Sequence, residues 1–238
     1  MNKIAYITGG SKGIGLGIAE SLLRENAKVA ITARTQKDLD IAVEQLKRIG
    51  SGEVIGIQSN VKNLADEEYA IQQVLDKWGT LDVCIANAGI GKFSPIDEMS
   101  AGDWNAVIDT NLTGVFHTVK AAIPALKTSK GYIITIASLA GTNFFQRGAA
   151  YNASKFGLVG FTQAVMLDVR PYGIKTTTIM PGSVATYFNG HIPSDADGWK
   201  IQPEDIGQMV VDLLRMNPRT LPSKVEVRPT IPPSARRK

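Results

Sequence analysis

Tyr151 and Lys155 stand four residues apart in AAYNASKFG, residues 149–157. On a helix this spacing puts both side chains on one face. An ammonium beside a phenol favours the phenolate and lowers a pKa of about 10 by ~1–3 units. Hydride attack on a ketone builds negative charge on the carbonyl oxygen, and a neighbouring phenol can supply the proton that oxygen needs. The reverse reaction needs the phenolate, and about three units of pKa depression correspond to roughly 4 kcal/mol. The pair has a second reading, ordinary helix surface. Two polar residues upstream bear on the choice. Ser138 ends the β-branched run GYIITIAS, thirteen residues before Tyr151, and Asn111 lies in DTNLTG. Ser138 can hydrogen-bond a substrate oxygen or simply terminate its strand. Asn111 can serve a site or be a polar residue on a helix face, and NLT matches a glycosylation sequon by pattern only.

The elements that must position these residues are legible as alternating patterns. Short β-branched runs recur at 4–8, 28–32, 53–59, 81–87, 131–138, 174–180 and 224–229. Several are apolar nearly throughout, as strands buried on both faces are. Helical spacing separates them. IGLGIAESLLREN places Ile14, Ile18, Leu22 and Leu23 on one stripe. NLADEEYAIQQVLDKWG places Leu64, Ala70, Ile71, Val74, Leu75 and Trp78 on another, with Asn63 or Asp66 near its start and Gly79 at its end. A long helix carrying Asn111 is expected from about Asp103 to Lys127. The alternation predicts right-handed βαβ units in an α/β fold: a doubly wound parallel sheet of about seven strands, helices on both faces, one domain over 1–238. The stretch from Pro181 to Pro203 is long and rich in Gly, Pro, Ser and Asp, which marks a functional loop.

The first strand runs into TGGSKGIGLG, where Gly9, Gly10, Gly13 and Gly15 crowd a turn that opens an apolar helix. Glycines let a pyrophosphate approach main-chain N–H groups, and the helix N-terminus adds a favourable dipole. Strand, turn and helix stand in the order nucleotide binding requires. The spacing Gly-x3-Gly-x-Gly, in TGGSKGIG, resembles the short-chain dehydrogenase/reductase family.

That resemblance implies a Rossmann-type fold, hydride transfer with a nicotinamide cofactor, and four catalytic residues: Asn111, Ser138, Tyr151 and Lys155. Tyr151 would exchange the proton with the substrate oxygen. Lys155 would lower its pKa and hold the nicotinamide ribose. Ser138 would fix the substrate oxygen. Asn111 would hold its helix and a water that passes protons from Lys155. The turn residues Gly9, Ser11, Lys12, Gly13, Ile14 and Gly15 would line the cofactor. IANAG at 85–89 resembles the family's Asn-Ala-Gly motif, and Asn87, Ala88 and Gly89 would border the cofactor, Asn87 with either a structural role or a direct contact. Asn60-Val61 stands where the family usually has Asp-Val, and an Asn amide oxygen still accepts a bond from the adenine amino group. IMPGSVAT at 179–186 resembles the family's Pro-Gly segment: Pro181 and Gly182 would cross the cofactor, and Val184 and Thr186 would meet the nicotinamide carboxamide.

The choice of cofactor follows from charge. NAD sites place an acid at the end of the second strand, but here that strand ends Ala33-Arg34-Thr35 and the next carboxylate, Asp38, belongs to the following helix. Arg34 can grip a 2′-phosphate, with Lys12 as a second cation, so NADP(H) is the expected cofactor. The loops after strands four to six offer Ile90, Phe93, Phe144, Phe145, Tyr187, Phe188 and Trp199 to an apolar or aromatic substrate portion, or to packing of a lid. In the family a mobile loop such as 183–200 closes over substrate. Much-studied relatives of this length reduce 3-oxoacyl groups on acyl carrier protein. Their chains end with an aspartate and paired glycines, whereas this one ends VEVRPTIPPSARRK, which leaves 3-hydroxy acids, sugars and steroids open. Rival classes are a non-catalytic NADP-binding protein and a binder of flavin or adenylate.

The 238 residues are 44% hydrophobic and 20% charged, with a formal charge of +4. The isoelectric point is about 9.1 and the mean hydropathy −0.01. No apolar run approaches a span of ~20 residues, so no membrane partner is expected. The N-terminus lacks the pattern of a signal peptide, and the single cysteine, Cys84, excludes an internal disulfide; a cytoplasmic location is expected. No zinc spacing or basic-aromatic ladder indicates nucleic acid, and no metal site is legible. The basic residues Arg228 and Arg236 to Lys238 read as a solvated terminus. Lys92, Arg147 and His191 could meet an anion, with surface charge as the plainer reading. His117 and His191 have no partner at triad or metal spacing and read as incidental. The family implies a homodimer or homotetramer through the helices of Asn111 and Tyr151, and FGLVGFTQAVML can serve that interface or the core.

Overall fold

The computed structural model describes residues 1–50 and 52–232; the basic residues Arg236 to Lys238 lie outside the described residues. The strands are β1 (Ile4–Thr8), β2 (Lys28–Ala33), β3 (Val54–Gln58), β4 (Val83–Ala86), β5 (Tyr132–Ile136), β6 (Lys175–Pro181) and β7 (Lys224–Val227). They form one seven-stranded sheet in the order β3-β2-β1-β4-β5-β6-β7, with every pairing parallel. Strand order reverses between β1 and β4, and in doubly wound sheets ligands bind at the carboxyl ends of the strands beside that reversal.

Alternate residues of each strand feed two cores. Ile7, Ile31, Ile85 and Ile134 face helices α1 (Gly13–Arg24), α2 (Gln36–Leu46) and α7 (Pro203–Arg215), meeting Ile18, Leu22, Leu39 and Val210. Tyr6, Ala30, Cys84 and Ile133 face α3 (Leu64–Trp78), α5 (Gly114–Ser129) and α6 (Ala149–Val169), meeting Val74, Val119, Leu126 and Leu158. Each fully buried Leu or Ile side chain is worth roughly 1.5–3 kcal/mol, so these two layers fix where every strand ends. Helix α3 starts and stops as its sequence predicts: the Asn63 side chain accepts from the Ala65 N–H, and Gly79 closes the helix at φ 78°.

The second core contains one carboxylate. Glu67, fully buried in the first turn of α3, accepts hydrogen bonds from Tyr6 (3.0 Å), Ser59 (2.5 Å) and Thr118 (2.7 Å). Three hydroxyls and, among the described residues, no ion-pairing cation surround it, and burial raises its pKa despite the hydroxyls.

The long helix expected from Asp103 to Lys127 is interrupted. It comprises α4 (Ala101–Ile108), a π turn (Asp109–Thr113) and α5. Asn111 sits inside the π turn and is fully buried.

Candidate active site

The glycine turn joins β1 to α1. Gly13 has φ 57°, in the left-handed region, and a Cβ there would lie 3.3 Å from the Thr186 methyl, so the turn meets the loop after β6 at close range. At Gly15 a Cβ would come within 2.4 Å of the Gly9 carbonyl and 2.6 Å of Asn87 Nδ2, which no side chain tolerates. Asn87 itself is a clamp. Its Nδ2 donates to the carbonyls of Thr8 (2.9 Å) and Gly9 (3.1 Å), while Thr8 Oγ1 accepts from the N–H groups of Asn87 and Ala88. Of the two roles considered for Asn87, these contacts display the structural one, binding β4 to the turn after β1.

A phosphorylated dinucleotide fits the residues present. The N-terminus of α1 opens at the carboxyl edge of the sheet beside a turn whose bare glycines leave the backbone approachable. Arg34, just beyond β2, and Lys12, at the start of α1, are both exposed, and neither forms an ion pair among the described residues. The next acid along the chain, Asp38, accepts a 2.6 Å bond from Thr35 Oγ1. At the end of β3, Asn60 Oδ1 accepts from the Lys62 N–H, which leaves its second lone pair for an adenine amino group. Asp66, which the sequence suggested only as a helix start, holds this corner by accepting from the Asn60 N–H and from Asn63 Nδ2. His117, read from sequence as incidental, has Nδ1 2.9 Å from the carbonyl of buried Val61.

Ser138, Tyr151 and Lys155 converge beyond the end of β5. Ser138 Oγ accepts from the Ala140 N–H at 3.1 Å, and its hydroxyl interacts with the Tyr151 phenol. Lys155, one helical turn after Tyr151, is 4% exposed. Its Nζ donates to the Ile136 carbonyl at 3.0 Å and lies 5.7 Å from the centre of the Tyr151 ring. The pKa shift is opposite to the one expected from the spacing. Burial raises the Tyr151 pKa, opposed only by the hydrogen bond to Ser138. Burial also lowers the Lys155 pKa, to about 8. Sequence spacing reports proximity of charge, whereas here desolvation of both groups is the larger effect.

Asn111 reaches the same place from the π turn. Its Oδ1 accepts from the Ile90 N–H (2.8 Å), and its Nδ2 donates to the Ile90 carbonyl (2.9 Å) and to Ser154 Oγ (3.1 Å). A Cβ on Gly89 would lie 3.4 Å from Asn111 Oδ1 and 3.7 Å from Lys155 Nζ, so both polar groups flank the glycine.

The loop after β6 covers this cluster. Pro181 pairs with Val227, and Gly182 donates to the Val227 carbonyl at 2.8 Å. Val184 and Ala185 run beside Ile201 in a short parallel bridge. Thr186 Oγ1 accepts from the Phe188 N–H at 3.3 Å. Asp197 clasps the loop: it binds His191 Nε2 (2.7 Å), Lys200 Nζ (2.6 Å) and the Ser194 N–H (3.0 Å). The Lys200 bond, with His191 and Ser194, holds its carboxyl well below the usual range. His191, read as incidental, is thus a partner in the clasp, which only its six-residue distance from Asp197 could have suggested.

Of the seven apolar residues expected around the cleft, three surround Tyr151. Ring centres lie 5.5 Å away for Phe93, 5.6 Å for Phe188 and 6.4 Å for Phe145. Ile90 contributes its backbone to Asn111. Phe144, 85% exposed, stacks instead with Phe156, Tyr187 is exposed, and Trp199 lines a separate cleft with Arg228 and Pro229. Among the described residues no group of three or more His, Cys, Asp or Glu could hold a metal ion, and no helix is long and apolar enough to cross a membrane.

The family model for short chain dehydrogenase matches residues 3–197. With this fold and this cluster, the chain belongs to the short-chain dehydrogenase/reductase family of oxidoreductases. A 3-oxoacyl-[acyl-carrier-protein] reductase of Synechocystis is 38% identical over 186 residues, 77% of this chain and 75% of the relative. An alcohol dehydrogenase from the archaeon Thermococcus sibiricus, solved with 5-hydroxy-NADP, superposes with a TM-score of 0.91 at 28% identity, over 100% of this chain and 99% of that one. A metagenomic short-chain oxidoreductase in complex with NADP gives 0.84 at 32% identity, over 97% and 98%.

Proposed function

We propose that this protein is an NADP(H)-dependent oxidoreductase that interconverts a ketone or aldehyde and its alcohol, with Asn111, Ser138, Tyr151 and Lys155 as its working residues. The observation that carries this reading is the convergence of Ser138, Tyr151, Lys155 and Asn111 beyond the end of β5. Burial raises the Tyr151 pKa, which favours the phenol, the form that donates to an alkoxide, and the Ser138 hydroxyl stands beside it. When bound, NADPH would supply the hydride for the carbonyl carbon. Ser138 orients the carbonyl oxygen, and Tyr151 gives it a proton as charge develops there. Lys155 holds ribose hydroxyls. Its ammonium favours the phenolate that Tyr151 becomes, and a path past Asn111 returns the proton from solvent. Gly9, Ser11, Lys12, Gly13, Ile14 and Gly15 would cradle the phosphates, and Arg34 with Lys12 would select the 2′-phosphate. Asn60 and Val61 would flank adenine, Ala88 and Gly89 would border the nucleotide, and Pro181, Gly182, Val184 and Thr186 would close over the nicotinamide. The NADP-bound relatives of like fold support the cofactor. The identity to the Synechocystis enzyme favours a 3-oxoacyl thioester as one substrate reading.

The test is NADPH consumption, read by absorbance, against a panel of ketones and aldehydes. Tyr151→Phe should fold and bind NADPH yet lose about 10²–10⁴ of the reduction rate. Wild-type turnover by that variant would sink the assignment. We further propose a homodimer or homotetramer in the cytoplasm, joined through α5 and α6, whose outer faces expose Phe116, Phe156 and Leu167; a monomer by light scattering would refute the assembly.

A further inference from the structure

We propose that Asn152 sets the distance between the Ser138 hydroxyl and the Tyr151 phenol, as a positioning residue for the carbonyl reduction proposed above, on which this inference rests. Asn152 directly follows Tyr151 at the start of α6 and is 8% exposed. Its Nδ2 donates to the carbonyls of Ala140 (2.8 Å) and Asn143 (2.7 Å), and its Oδ1 accepts from the Phe145 N–H at 3.4 Å. One side-chain amide thus grips three backbone groups of the loop after β5. These partners lie 12, 9 and 7 residues earlier in the chain, so helical spacing gives no sign of them.

Ala140 joins the two halves of the site. Its N–H donates to Ser138 Oγ at 3.1 Å, and its carbonyl accepts from Asn152. The connection runs from Ser138 to Ala140 to Asn152 and so to Tyr151. Ser138 caps a short turn at Leu139–Gly141, whose backbone bonds, Gly141 to Ser138 and Asn143 to Leu139, stay inside the loop. Those bonds shape the turn without fixing its distance from α6. Lys155 ties α6 to the end of the strand, at Ile136. Asn152 ties it to the turn beyond.

Two bare positions let turn and helix approach. A Cβ at Gly141 would lie 2.8 Å from the Lys155 carbonyl, and one at Gly148 would lie 2.7 Å from Asn152 Oδ1. On its other side Asn152 lines an outer cleft of about 580 Å³, so a turn released from the amide has room to move.

The consequence is electrostatic as well as geometric. The Ser138 hydrogen bond is what opposes burial at Tyr151. A turn that drifts from α6 weakens that bond, so the phenol becomes harder to ionise. The substrate oxygen also loses the alignment of one of its two hydroxyl partners.

The test uses Asn152→Ala and Asn152→Ser in the full chain. Water from the cleft can reach the freed carbonyls, so the alanine variant should fold; if it does not, the serine variant, which keeps one donor, carries the test. Ethyl acetoacetate is the ketone probe and ethyl 3-hydroxybutyrate the alcohol. We expect kcat for reduction to fall about 10–100-fold in Asn152→Ala and less in Asn152→Ser, with KM and NADPH affinity within about threefold of wild type. The rising limb of the pH profile for alcohol oxidation should move up by about 0.4–1 unit, the worth of one hydrogen bond. A lower melting temperature with kcat and that limb unmoved would make Asn152 merely structural and overturn the proposal. Amide exchange at Ala140, followed by NMR, needs no turnover: its protection should fall about tenfold relative to the amides of β5, and unchanged protection would also overturn the proposal. If the wild type binds NADPH but reduces no carbonyl, the reduction itself fails, and exchange at Ala140 then decides alone whether Asn152 holds the turn.

Discussion

Asn111 and Ile90 exchange two hydrogen bonds, the side-chain amide of one reading both backbone groups of the other at 2.8 and 2.9 Å. The pair fastens the loop after β4 to the π turn. Asn111→Ala should cost about 1–3 kcal/mol in urea unfolding, because it leaves a part-buried N–H and C=O without their partner. It should also lower kcat more than it raises KM. A stability loss with kcat unchanged would confine Asn111 to an architectural role.

Lys155 offers a test in pH. Its folded pKa is lowered to about 8 by burial, from 10.5. Between those values the unfolded chain holds the proton and the folded chain does not, so the stability difference between wild type and Lys155→Met should rise with pH. The gain approaches about 3 kcal/mol by pH 10.5 and is lost as pH falls through about 8. Parallel stability profiles for the two proteins across that range would contradict a buried, depressed lysine.

Arg34 is exposed and unpaired by any described carboxylate. Arg34→Asp replaces a phosphate donor by a repelling charge. It should weaken NADPH binding about 10–100-fold and improve NADH. Equal NADPH affinity in the variant, measured by fluorescence titration, would place the 2′-phosphate elsewhere.

Glu67 should behave as a buried acid with the opposite sign of pH dependence. Its folded pKa is raised by burial, so the folded state holds a proton that the unfolded state releases in the ordinary carboxylate range. Its contribution is therefore present below that range and is lost as pH rises through the raised folded value. Stability relative to Glu67→Gln should fall across that window in denaturant titrations. A difference that does not change with pH would show that the three hydroxyls already offset desolvation.

The sheet was legible because its strands are β-branched runs between glycines, asparagines and prolines. The predicted ends overran slightly: β5 stops at Ile136, Ala137 still donates to the Ile179 carbonyl of β6, and Ser138 turns away to cap the short turn at Leu139–Gly141. The π turn had no local signal, since it depends on bonds that Asn111 makes to a loop 21 residues earlier. The Asp197 clasp was equally hidden, since His191, Asp197 and Lys200 pair only once the loop folds back. The tyrosine's pKa direction failed for a different reason: four-residue spacing names a neighbour but says nothing of how little water reaches it.

The π turn has a consequence for the gene. It holds one residue more than the α turn it replaces. A single-codon deletion between 109 and 113 would preserve the reading frame and let α4 run straight into α5. Five π residues and four α residues turn through nearly the same angle, about 400°, so the two halves would keep their faces and only the wide turn would close. Val107 and Val119, both buried, would still face inward together, but Asn111 would lose the wide turn that carries it to Ile90. Point changes on the outer side of this stretch should be tolerated far better than the loss of any one of its five codons.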